Sequence, residues 1–278
     1  MPVSKLKNLV ILILLLANLS MILLVTPGRR EAAEEKQALW DSLCVLYEEA
    51  GVQLPSEAVT DTVSLYLLEL KENPQADLRT ATALLGQQLL VQDDSTRYLS
   101  SYQSPRGTCS ISSNGTFRAQ LTEGRERGDL LRAAKKTLRS MGFTWATLSE
   151  PNRLRAGVYE VEAVQSVLGV PVFADGLTLT FANHRLTEVN GVFFTGVGSL
   201  SRVSDRACLS AGDALVAFLS ARYELGWVGS AILSMEQGYV RAETATAGAV
   251  RLSPVWMLET DTGNFLVGGM TGEVTAVS

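Results

Sequence analysis

The sequence predicts an α+β protein: a single N-terminal transmembrane helix, then an extracytoplasmic region of two tandem helix-plus-antiparallel-sheet units. Three observations predict it. An uncharged run from Leu9 to Val25 lies between Lys5 and Lys7 on one side and Arg29-Arg30 on the other. Two amphipathic stretches recur at an offset of 84 residues, Gly128-Asp129 to Gly142-Phe143 and Gly212-Asp213 to Gly226-Trp227, with Leu131 over Leu215 and Ala133 over Ala217. Each is followed by short strand-like runs separated by turn residues such as Asn183-His184, Asn190-Gly191 and Thr271-Gly272. The organisation that follows is a tail and anchor over 1–30, a mainly helical membrane-proximal region over 31–105, a first α+β unit over 106–200 and a second over 201–278.

Taken in order, the run from Leu9 to Val25 has 17 residues, which at helical rise is roughly 26 Å, the short end of what spans a hydrocarbon core. A cleavable signal peptide is the rival reading, but the run ends Leu24-Val25-Thr26-Pro27 with no A-x-A-like site behind it. The near flank carries Lys5 and Lys7 and no acid, whereas 29–36 mixes three bases with three acids. A cytoplasmic N-terminus and an extracytoplasmic C-terminal domain, single-pass in the cell membrane, is the expected topology. Within the run, Ile11, Leu15, Asn18 and Ile22 fall on one stripe at spacings of 4, 3 and 4. A bare amide in lipid tends to face another helix, so this stripe is the candidate intramembrane partner contact; the alternative is that Asn18 sits near enough to one end to be wetted.

Beyond the anchor, Leu39, Leu43, Leu46 and Tyr47 repeat at helical spacing and Gly51 and Pro55 end that helix. Residues 56–72 read as helix or strand. Asp77 is placed to cap a helix running through Leu84-Leu85-Gly86 to about Val91, and Gln92 to Gly107 reads as a polar connection. Asn114-Gly115 predicts a two-residue hairpin between strands Thr108–Ser112 and Thr116–Leu121. In the first repeat Asp129 starts the helix and Gly142 ends it; Asp213 and Gly226 are assigned the same roles in the second. The strands expected after the first helix are Gly157–Val164, Val170–Phe173, Leu177–Phe181 and Leu186–Phe194. Those after the second are Ala231–Met235, Tyr239–Thr244, Val255–Thr260, Phe265–Gly268 and Glu273–Val277.

Removing the four basic residues of 1–30 leaves 20 Lys and Arg against 29 Asp and Glu, a charge of −9 on the remaining chain. Such a surface repels nucleic acid and anionic polymers. Three cysteines, Cys44, Cys109 and Cys208, are too few for a disulfide scaffold; a Cys44–Cys109 bridge and three small apolar side chains are both open readings. His184 is the one histidine and falls in a turn, and the chain has no C-x-x-C, P-loop, H-E-x-x-H or G-x-S-x-G. Glu160 and Glu162 alternate with Val161 and Ala163, as on the wet face of a strand, and Asp93-Asp94 reads as a solvated loop. No catalytic residue, cofactor or metal site is expected, and the chain is not expected to be an enzyme. Trp256, alternating with Val255 and Met257, is a core or sheet-face aromatic and the candidate extracytoplasmic contact.

The short basic tail with a single anchor, the total length, and the ending Ser253-Pro254-Val255-Trp256-Met257-Leu258-Glu259-Thr260-Asp261-Thr262-Gly263 … Val267 … Thr271-Gly272-Glu273-Val274 together resemble the YycI branch of the YycH/YycI (WalH/WalI) regulators of Gram-positive bacteria. The same ending is similar to that of PepSY-like modules. Leu84-Leu85-Gly86 … Tyr102 … Gly107 … Gly115-Thr116-Phe117 is similar in layout, so the likeness covers the anchor and roughly residues 80–278. The resemblance implies a non-catalytic membrane regulator of the sensor histidine kinase in a cell-wall two-component system, working through transmembrane and extracytoplasmic contacts. Its implied partners are that kinase, a sister YycH-like regulator and the lipid bilayer, with no nucleic acid. The alternative is a PepSY-like extracytoplasmic inhibitor or binding module for a secreted peptidase or cell-wall hydrolase.

Overall fold

The computed structural model describes residues 37–55, 59, 63–94, 98–122, 129–242 and 248–277. A first helix, α1, covers 37–49 and buries Leu43 and Tyr47. Helix α2 (Pro74–Leu85) starts at Asn73, whose side chain accepts from the Ala76 N–H at 3.1 Å, with Pro74 in the first turn where a missing N–H costs nothing. Asp77 therefore lies inside this helix rather than at its cap. In α3 (Leu130–Met141) Asp129 does cap, accepting from the Leu131 and Arg132 N–H groups, and Gly142 closes the helix in the left-handed region. Helix α4 (Ala211–Ala221) begins differently from the expected repeat. Ser210 is its cap, accepting from the Asp213 N–H at 3.2 Å, and Asp213 stands in the first turn.

Among the described residues fifteen strands form one mixed sheet. In chain order they are β1 (Tyr66–Lys71), β2 (Leu90–Asp94), β3 (Leu99–Ser104), β4 (Gly107–Ser112), β5 (Thr116–Leu121), β6 (Trp145–Leu148), β7 (Asn152–Arg155), β8 (Val158–Val167), β9 (Val170–Ala182), β10 (Arg185–Val192), β11 (Ser201–Ala207), β12 (Ile232–Ala242), β13 (Ala249–Thr260), β14 (Gly263–Gly268) and β15 (Val274–Val277). The main path runs β11-β1-β13-β12-β9-β10-β5-β4-β3-β2; β14 and β15 extend from β13, and β8 carries β6 and β7 beside β9. Among the named strands every pairing is antiparallel except β12 with β9, which meet in parallel where Tyr239 faces Val172; Gln53 and Val59 add single parallel bridges to Ala231 and Met235.

This architecture corrects the expected fold class. The region taken as two separate helix-plus-sheet units is one continuous sheet, because its longest strands serve two neighbours in series. With β8 along its whole length on one side, β9 gives its other edge to β10 at one end and to β12 at the other. Likewise β13 pairs with β1 through Ala249–Leu252 and with β14 through Val255–Thr260. The expected gaps between strands at 174–176 and 236–238 fall inside β9 and β12, and Asn190-Gly191, expected as a turn, falls inside β10. At Gly238 a Cβ would sit 2.6 Å from the Pro171 carbonyl oxygen and 2.3 Å from the Phe173 ring. That glycine marks the close approach joining the two halves. The stretch 31–105, expected to be mainly helical, also supplies β1, β2 and β3. The expected transmembrane helix lies outside the described residues, and among these no helix is long and apolar enough to cross a membrane.

Three apolar clusters hold the sheet. One lies beneath α2 and α3 and includes Leu84, Phe117, Leu138, Phe143 and Phe181. Another joins α1 and α4 to β12–β14 through Tyr47, Phe218, Trp256 and Phe265. A third, with Leu68, Val172, Phe194, Tyr239 and Leu252, spans the β9–β12 junction. Each such side chain, fully buried, stabilises by about 1.5–3 kcal/mol, so the junction is as firmly packed as the halves it joins. Gln165 is buried beside it, exchanging hydrogen bonds of 2.9 and 3.0 Å with the Phe194 N–H and carbonyl.

Candidate functional site

Strand alternation decides which face of the first half remains open. In β4, Cys109 and Ile111 point to the helices, leaving Thr108 and Ser110 on the opposite face; in β5, Phe117 and Ala119 do so, leaving Arg118 and Gln120. The register carries this alternation sideways. Gln103 faces Thr108, Thr108 faces Gln120, and Gln120 faces Glu188. One step along, Ser101 faces Ser110, Ser110 faces Arg118, and Arg118 faces Asn190. The face continues beyond β10 through Thr178 and Thr180 to Glu162 and Glu160. Across β2, β3, β4, β5 and β10 it is hollowed into a groove of about 740 Å³. Among the described residues the Gln103, Thr108, Ser110, Arg118, Gln120, Glu188 and Asn190 side chains make no hydrogen bond or ion pair with the protein.

A second surface lies on the other half, where α1 packs on α4. The Tyr47 hydroxyl donates to the Leu215 carbonyl at 2.8 Å and Arg222 donates to the Ala50 carbonyl at 2.9 Å. Along this pair Leu39, Leu46 and Val216 are exposed; beyond the end of α4 stand Tyr223, 77% exposed, and Val228, 88% exposed. The Arg222 guanidinium lies 4.5 Å from the Tyr223 ring centre.

The residues singled out from sequence are not brought together. Ile11, Leu15, Asn18 and Ile22 lie outside the described residues. Trp256 is fully buried, its indole N–H donating to the Leu209 carbonyl at 2.9 Å, so it belongs to the core and offers no surface contact. Asn183 and His184, with φ of 50° and 61°, form the two-residue turn between β9 and β10. Asp93 and Asp94 belong to β2 rather than a loop. All three cysteines are free thiols, and burial pushes Cys109 up to about 12 and Cys208 up to about 11. Among the described residues no group of His, Cys, Asp and Glu is arranged to hold a metal. The groove and the exposed α1–α4 surface were missed. Alternation at 108–120 carried part of the signal for the groove, but only the register across five strands shows those polar positions converging.

One carboxylate is held inside. Burial raises Asp77 above the ordinary carboxylate range, the Thr195 hydroxyl donates to it and pulls the other way, and nearby Glu72 adds to the rise. Folded Asp77 thus keeps its proton to higher pH than the unfolded chain does. Its contribution to stability is full at low pH and is lost as pH climbs from the unfolded carboxylate value through the raised folded one. Asp175 and Glu236, also raised by burial, act in the same sense. Between mildly acidic and neutral pH the urea midpoint of Asp77→Asn is expected to lose less with rising pH than that of the parent; equal slopes would remove Asp77 from this role.

No protein-family profile and no curated protein matches the chain. Among solved structures it is similar to the C-terminal domain of YpeB from Bacillus megaterium. The identity is 11% and the TM-score 0.38, over 75% of this chain and 99% of that one.

Proposed function

We propose that the chain is a non-catalytic regulator that works outside the cytoplasm, modulating a membrane sensor histidine kinase of the cell-wall two-component type. The YycI-like sequence pattern supports the choice of partner. The observation that carries a protein-contact role is the exposed apolar and aromatic strip along α1 and α4, with Tyr223 and Val228 standing almost free of the surface. Tyrosine and arginine, side by side here as Tyr223 and Arg222, are among the residue types that dominate binding energy at protein interfaces.

The test uses the full chain in membranes, co-purified in both directions with the kinase and read out by kinase output. Tyr223→Ala combined with Val228→Asp alters only exposed positions. It is expected to leave the circular dichroism spectrum unchanged and to weaken kinase association about tenfold or more, the effect of losing one hot-spot side chain. Undiminished association of this variant, or a histidine kinase missing from what the unaltered chain retains, would overturn the reading. Retention of a secreted peptidase or hydrolase instead would favour an inhibitor module.

A further inference from the structure

We propose that the polar groove across β2, β3, β4, β5 and β10 binds a neutral glycan chain bearing hydroxyl and N-acetyl groups. The site is on the opposite half of the sheet from the α1–α4 strip and stands independently of the kinase reading.

Charge comes first. Among the described residues Arg118 and Glu188 are the charged ones of the groove lining, so together these add no net charge on a chain that is otherwise acidic. One cation is far too little for nucleic acid or a polyphosphate, whose affinity rests on many Lys and Arg contacts. Composition removes the next candidates. Small-molecule pockets are lined mostly by apolar and aromatic groups, and protein-interface cores are rich in Tyr, Trp, Phe, Met and Arg. Here, among the described residues, Leu90 is the one large exposed apolar side chain, on the edge strand β2. What remains is hydrogen-bonding capacity. Gln103, Gln120 and Asn190 each bring two N–H donors and a carbonyl, and Thr108 and Ser110 bring hydroxyls that both donate and accept. A sugar ring with N-acetyl substituents presents the same groups in return.

Shape agrees. Strands stand about 4.8 Å apart, so polar side chains repeat at that step across a groove roughly 19 Å wide, a step close to one pyranose unit in an extended chain. Antiparallel sheets often leave one face to water. This face differs from an ordinary wet one in being hollow, with amide side chains on four of its strands (Gln92, Gln103, Gln120 and Asn190) and none of them engaged by the protein.

The experiment titrates the full chain with chitohexaose, an uncharged N-acetylglucosamine hexamer, by calorimetry. Saturable binding is expected, with affinity rising from dimer to tetramer and then levelling as the groove fills. Gln120→Ala with Asn190→Ala, both solvent-facing, is expected to preserve the thermal midpoint while weakening chitohexaose about tenfold or more. Asn190→Asp, adding a negative charge near Glu188, is expected to weaken it without unfolding the chain. Failure to saturate at millimolar chitohexaose, binding unaffected by the double variant, or equal binding of a charged polyuronate would each overturn the proposal. Binding of a polar peptide in place of the sugar would do the same.

Discussion

Trp256→Ala is expected to cost about 3–5 kcal/mol of folding stability, the range for emptying a fully buried aromatic site. For a domain whose whole stability is about 5–15 kcal/mol, that is enough to populate the unfolded chain at physiological temperature. The indole is fully buried in β13, between Gln237 of β12 and Val267 of β14. Its N–H also holds the Leu209 carbonyl, one residue before the Ser210 cap of α4. Truncation therefore opens a cavity in the cluster shared by α1, α4 and the sheet and orphans an acceptor at the entry to α4. Trp256→Phe retains most of the packing and loses the hydrogen bond, so about 1 kcal/mol of its cost is assigned to the orphaned carbonyl. Urea unfolding of the three proteins measures both effects. An alanine variant within 1 kcal/mol of the parent would mean that the surroundings collapse onto the site, and the packing account would fail.

Much of the second and third quarters of the chain was legible because local chemistry there agrees with the fold. The hairpin strands β4 and β5 lie where expected, though Ser113, Asn114 and Gly115 turn the chain in place of a two-residue Asn114-Gly115 loop; Asp129 and Gly142 bracket α3, and period-two apolar residues mark β5, β8 and β10. What escaped is what depends on distant partners. Strands β2, β3, β7 and β11 are short or polar and take their conformation from the neighbour they pair with; β11 is exposed at six of its seven positions. The parallel contact of Tyr239 with Val172 brings together residues 67 positions apart, which no local pattern encodes. The same holds for the groove. Thr108, Gln120 and Glu188 each read as an ordinary polar strand position, and only the stacking of two registers turns them into one surface.

Gly191→Ala tests that stacking at its tightest point, and the expected result is loss of stability and of groove binding together. Gly191 pairs with Phe117 on one side and Leu177 on the other, at φ 131°, a region nearly closed to any residue with a side chain. A Cβ there would lie 2.0 Å from the Gly176 carbonyl oxygen and 3.1 Å from the Leu177 Cα, so the obstacle is backbone of β9 rather than a side chain that could swing away. Gly176 is itself pressed against the Ala163 carbonyl of β8, where a Cβ would come within 2.6 Å, so β9 has no slack to retreat. The clash is expected to cost about 1–3 kcal/mol, and the backbone conformation a further ~1–3 kcal/mol. Gly142→Ala is the control: it is also at positive φ but with no atom within 4 Å, so it carries conformational strain alone, about 1–2 kcal/mol. If the two substitutions shift the urea midpoint equally, the close approach is not what requires glycine at 191. If Gly191→Ala is the more damaging, β10 has been pushed away from β9, carrying Glu188 and Asn190 out of register with Gln120 and Arg118. A chitohexaose titration of the folded fraction should then weaken along with stability, whereas the Gly142→Ala chain should bind as the parent does.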